Sequence, residues 1–110
     1  MQYKISKPGG KIIKELREKE NLNLEQLSVL ILKKKQTLMT VPYLSEVECG
    51  LGIPFESGIR VLADVLKYTG DMYELILAFG RIPERIESLI IDNPGKLSEL
   101  LKIYGVKDEN

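Results

Sequence analysis

The chain contains no histidine, no tryptophan and a single cysteine, Cys49, among its 110 residues. Without histidine it lacks the commonest general base near neutral pH and the commonest metal ligand. One thiol cannot close an internal disulfide, and no group of thiols is available to hold zinc. Nothing in the sequence asks for a metal or a cofactor. Glu46 and Glu48 stand two apart on a predicted helix, so they point to different sides and cannot act as an acid–base pair. Gly50-Leu51-Gly52 has no strand before it and is not a nucleotide-binding loop. Cys49, at a helix C-terminus, lacks the positive surroundings that activate a thiolate. Tyr68, Tyr73 and Tyr104 read as packing residues with a wet hydroxyl. No enzyme is expected. Long apolar runs are also missing, and none approaches the ~20 residues needed to span a bilayer. No charged segment followed by an apolar one opens the chain, so the expected location is the cytoplasm.

What is present is an ordinary globular composition, 44% hydrophobic and 29% charged. That length and balance fit one domain with a modest core. Formal charge is zero, yet it is unevenly placed. Residues 1–35 carry nine Lys and Arg against four Glu, a local charge of +5. Residues 36–74 carry two basic against six acidic side chains, a local charge of −4. A basic first third permits local attraction to phosphate without requiring it.

Strand alternation is absent, and the spacing predicts six or seven short helices with short loops, an all-α bundle. Residues 1–9 read as an N-terminal arm, broken at Pro8-Gly9-Gly10. A first helix runs from Lys11 to Glu20 with Ile12, Ile13 and Leu16 inward, closed by Asn21. Asn23 caps a second, with Gln26 completing the box. It carries Leu24, Leu27, Leu30 and Ile31 and runs to about Lys33. The polar stretch Lys33-Lys34-Lys35-Gln36-Thr37 is expected to be an exposed loop. A fourth helix spans 55–68 and is stopped by Thr69-Gly70. Asp71 caps a fifth that ends at Gly80. Pro83 begins a sixth with Ile86, Leu89 and Ile90 inward. The last covers 96–104 with Leu97, Leu100, Leu101 and Ile103. A frayed tail, 105–110, follows.

The third helix organises the rest. Thr40 can cap it, Pro42 sits in its first turn where a missing N–H is cheap, and Gly50 can close it. Leu44 and Val47 share its inner face. Tyr43, Ser45 and Glu46 are left for other faces. So short a helix needs neighbours to hold it.

Two short helices flanked in this way have the layout of a helix-turn-helix unit. The run Ile13-Lys14-Glu15-Leu16-Arg17, then Asn21-Leu22-Asn23, Leu27-Ser28, Tyr43-Leu44-Ser45-Glu46-Val47-Glu48-Cys49-Gly50, Pro54, Leu62-Ala63 and Leu66 resembles the Xre family of Cro/repressor-type helix-turn-helix regulators. The resemblance covers about residues 10–78, and its most specific part is the Tyr43–Gly50 stretch. A looser likeness to the C-terminal extension of some such regulators runs from Leu75 to Leu101, through Gly80-Arg81-Ile82-Pro83 and Asn93-Pro94. The resemblance implies a lambda-repressor-like helix-turn-helix at 10–78. It also implies an extension at 79–104 that packs or dimerises.

It implies roles as well. Arg17 would pair with Glu48, the planar guanidinium meeting the carboxylate with two bonds. The third helix would enter the major groove of double-stranded DNA, N-terminus first. Thr40, Val41, Pro42, Tyr43 and Glu46 would face base edges, with Ser45 or Thr40 on a phosphate. Two departures stand out. The connection from Val29 to Pro42 is about six residues longer than usual in the family, and it carries Lys33, Lys34 and Lys35, expected to grip phosphate. Cys49 and Leu51 occupy places where basic residues are common. The expectation is a sequence-specific DNA-binding regulator, a repressor acting as a homodimer. The alternative is a protein-interaction module on the same fold with weak or no DNA binding.

Overall fold

A computed structural model describes residues 8–103. Most of the expected arm, Tyr104, the 105–110 tail and the side chains of Leu100 and Leu101 lie outside the described residues. Seven helices make up the described chain: α1 Gly9–Lys19, α2 Leu24–Lys35, α3 Val41–Glu48, α4 Glu56–Val65, α5 Met72–Ala78, α6 Glu84–Asp92 and α7 Pro94–Ile103. No strand occurs among them, so the fold is all-α. None of the described helices is long and apolar enough to cross a membrane.

Helices α1 to α5 form a bundle around Ile13, Leu27, Ile31, Leu44, Val47, Ile59, Leu62, Leu75, Ile76 and Phe79, all buried. Phe79 closes this core. Helix α1 begins at Gly9, inside the expected arm and through the expected break. The reason is close packing. A Cβ on Gly10 would stand 2.1 Å from the Val47 carbonyl oxygen, so α1 can cross α3 here only with glycine.

The helix ends follow local chemistry. Asn23 accepts from the Gln26 amide while the Gln26 side chain accepts from the Asn23 amide, a complete capping box. Thr40 accepts from the Tyr43 amide at 3.3 Å. Asp71 accepts from the Tyr73 and Glu74 amides. Helix α1 closes on left-handed Asn21, and α3 closes on Gly50 at φ 80°. In α3 the Gly50 amide donates to Val47 and the Leu51 amide to Glu46, which satisfies carbonyls otherwise left open. Helix α4 ends earlier than Thr69-Gly70 suggests. Lys67 takes the left-handed conformation at φ 58°, and the Tyr68 amide folds back to Ala63.

The connection between α2 and α3 corrects the expected lysine loop. Lys33, Lys34 and Lys35 are the last turn of α2, not a loop. Gln36, left-handed at φ 49°, then reverses the chain. The Ser28 hydroxyl donates to the Met39 carbonyl at 2.6 Å, tying the return to the middle of α2. Beyond Ser28 the connection thus consists of about two helical turns, ~10 Å, and a segment that runs back along them to Met39. Helix α3 still begins beside Ser28.

Helices α6 and α7 pack on each other as a hairpin. No residue of α6 is buried, and Leu89 and Leu97 are exposed, contrary to the inward placement their spacing suggests. The hairpin is fixed to the bundle at its root. Arg81 donates to the carbonyls of Ile53 and Pro54, and its guanidinium lies over the Phe55 ring at 4.7 Å. The Glu56 carboxylate accepts from the Glu84 amide at 2.8 Å, capping α6 from outside.

Candidate nucleic-acid interface

Helix α3 is held by its inner face and its C-terminal end. Leu44 and Val47 enter the core, and Tyr43 is half-buried against it. Arg17 and Glu48 meet as a two-bond fork, Nε to Oε2 at 2.7 Å and Nη2 to Oε1 at 2.9 Å. The remaining Arg17 nitrogen, Nη1, donates to the Leu22 carbonyl at 2.7 Å. One guanidinium therefore joins α1, the turn after it and α3. Both side chains are largely removed from water, at 12% and 6% exposure. Glu48, by hydrogen bond and by charge, holds the guanidinium still more firmly protonated than usual.

The opposite edge of α3 faces solvent. Thr40, Pro42 and Glu46 are exposed, while Val41 and Ser45 are half-exposed. Burial raises the Tyr43 phenol above its ordinary value, with the nearby Arg81 charge pulling the other way. Tyr43 is half-buried, so only part of its side chain is open to solvent. The expected contact residues Thr40, Val41, Pro42, Ser45 and Glu46 do lie together on one short helix. No Arg, Lys, Asn or Gln stands among them, so the strongest two-bond base readers are missing.

The lysines stand apart from this edge, on the final turn of α2. Lys33 and Lys34 are exposed. Lys35 is half-buried and paired with Asp64 of α4. Lys35, and more weakly Lys34, hold the Asp64 carboxyl below the usual carboxylate range. Part of the positive charge is thus already answered within the fold.

Several participants escape a reading of the sequence. Arg81 and Glu56 set the root of the hairpin, across 28 positions in each case, a separation that no local pattern reveals. Exposed apolar side chains flank α3 on both sides: Leu38 before it, Leu51 and Phe55 after it. The sequence signal for Leu51 was there, since it replaces an expected basic residue. Among the described residues no group of three or more His, Cys, Asp or Glu side chains is placed to hold a metal ion. Cys49 is exposed. Comparison with protein-family models, curated proteins and solved structures returned no match.

Proposed function

We propose that this chain is a sequence-specific DNA-binding regulator of the helix-turn-helix type, a repressor that works as a homodimer. The observation that carries the proposal is the division of α3. Its inner face and C-terminal end are clamped by Arg17, Glu48 and the Gly10 crossing, while its first turn and the Glu46 edge stay open. A helix offered N-terminus first on a rigid support suits the major groove. Val41 and Pro42 would touch a thymine methyl, and Glu46 would accept from a cytosine amino group. Lys33 and Lys34 would meet phosphate, while Lys35 stays engaged with Asp64. A protomer of zero net charge gains from doubling such contacts, which favours a dimer. The α6–α7 hairpin supports it with apolar side chains that the bundle does not cover. A two-fold dimer would set its reading helices about one DNA turn, roughly 34 Å, apart.

A second reading is a protein-interaction module on the same fold. Leu38, Leu51 and Phe55, exposed at 70%, 81% and 76%, favour it, since apolar residues beside a reading helix suit a protein partner better than phosphate. Titration with the DNA upstream of its own gene at several salt concentrations separates the two. The regulator gives a steep salt slope and a sequence preference. Absence of binding at low salt leaves the interaction module.

A further inference from the structure

We propose that the outward face of α2 is a self-pairing surface, on which a second copy of this chain docks antiparallel about a two-fold axis at Val29. Helix α2 is apolar on more than one side. Leu27 and Ile31 enter the core, and Ser28 and Lys35 are engaged by Met39 and Asp64. The opposite side mixes exposed apolar side chains with charged ones. Val29 is 56% exposed and Leu32 48%. Val29 and Leu30, with Leu22 from the preceding turn, line an open groove of ≈ 360 Å³ whose polar members are Glu25, Gln26 and Lys33.

The order of charges along the groove names what covers it. Glu25 lies four residues before Val29 and Lys33 four residues after, so all three share one stripe. Turned end over end about Val29, the helix puts Glu25 where Lys33 had been. Two antiparallel copies then meet with Val29 against its own counterpart. At either end, the Glu25 of one copy meets the Lys33 of the other. Two equal ion pairs flank one apolar centre, and Leu30 adds a second apolar contact beside it. Such self-complementarity is what a closed two-fold contact requires, because the same patch must serve both sides. A stripe with the same charge at both ends would repel its own copy. The inference does not rest on the DNA-binding proposal; where the two copies pair, Lys33 is spent on Glu25 and phosphate contact falls to Lys34. It also concerns a different surface from the α6–α7 hairpin.

The test is sedimentation equilibrium on the full chain, unaltered and with Glu25→Lys, Lys33→Glu, or an equimolar mixture of the two variants. Each single substitution turns both symmetry-related ion pairs into like-charge pairs, so self-association weakens about 10- to 30-fold. In the mixture, the mixed pair restores opposite charges at both ends, and association returns to within about threefold of the unaltered chain. Both side chains are exposed, and circular dichroism confirms that the variants stay folded. As a second readout, Val29→Cys in a Cys49→Ser background cross-links into a covalent dimer under mild oxidation. Three results overturn the proposal: association indifferent to both single substitutions, which is how pairing through the hairpin alone behaves; a mixture as weak as its components; or an unaltered chain that stays monomeric at about 1 mM. So does failure of Val29→Cys to cross-link.

Discussion

Glu48→Gln changes two atoms' chemistry and almost no volume, so its effect isolates the charge at the α1–α3 junction. In the native fold Arg17 spends its fork on Glu48 and a further N–H on the Leu22 carbonyl. Glutamine keeps one acceptor and turns an amide NH2 toward the guanidinium. One hydrogen bond is lost and the other weakened, and Arg17, only 12% exposed, is left charged without a counter-ion. Removing one member of a largely buried pair costs about 3–5 kcal/mol. Water reaches the edge of this pair, which argues for the lower end, about 3 kcal/mol. For a domain of this size that corresponds to a fall in melting temperature of about 12–20 °C. Thermal melting followed by far-UV circular dichroism reads this directly, and urea unfolding supplies the free energy. Arg17→Met combined with Glu48→Leu should be milder than Glu48→Gln alone, because no unpaired charge remains and the main loss is the bond to Leu22. A loss below about 1 kcal/mol for Glu48→Gln would place the pair in the ordinary surface class, and the clamp argument would fail.

Gly10→Ala should destabilise although alanine is the better helix former by about 1 kcal/mol. The new Cβ meets the carbonyl oxygens of Val47 and Glu48 at 2.1 and 2.9 Å, and parting α1 from α3 costs about 2 kcal/mol net; a gain in urea midpoint refutes the crossing. Glu56 is held below its ordinary 4.5, chiefly by the Glu84 amide and further by Arg60. A carboxylate depressed in the folded state stabilises above its unfolded pKa and ceases to as pH falls through the folded one. The stability gap between the native chain and Glu56→Gln should therefore be full at pH 6 and close below about pH 4.5; a gap constant down to pH 3 contradicts the capping role. On DNA, Lys34→Ala should weaken all sequences alike and reduce the salt slope by about 1, while Tyr43→Ala should alter the preferred sequence. The reverse pattern in fluorescence titrations means the roles are exchanged.

The parts legible in the sequence are those set by near neighbours. Asn23 with Gln26, Thr40 with Tyr43, Asp71 with the amides after it, Asn21 and Gly50 in left-handed turns: each needs only residues within a few positions, and each is found. The misjudged parts depend on what comes back from far along the chain. Gly9-Gly10 look like a break, but they are helical because Phe79 and the α3 backbone press on them. Leu89 has inward spacing, but no element of the bundle arrives to cover it. Lys67 ends α4 although lysine is no natural choice for a left-handed residue, and the fold-back of Tyr68 to Ala63 accompanies it. At the candidate interface, the face of α3 could be read from its own spacing. The position of the lysines relative to it could not.

That relation bears on how the interface would act. A mobile cationic loop could follow a phosphate wherever α3 docked. Here the three lysines end a continuous helix whose last turn is braced on α4 by Lys35 and Asp64. Ser28 and Met39 fix where α3 starts against the same helix. The open edge of α3 and the exposed Lys33 and Lys34 are therefore two points on one rigid piece, separated along α2 by about 10 Å. A ligand that meets both must match that spacing to within the reach of the lysine side chains. Rigid spacing of this kind selects among surfaces by shape, whereas a flexible cationic loop selects only by charge. The chain has no net positive charge to rely on, so that fixed geometry would add to the discrimination that the base contacts of α3 supply.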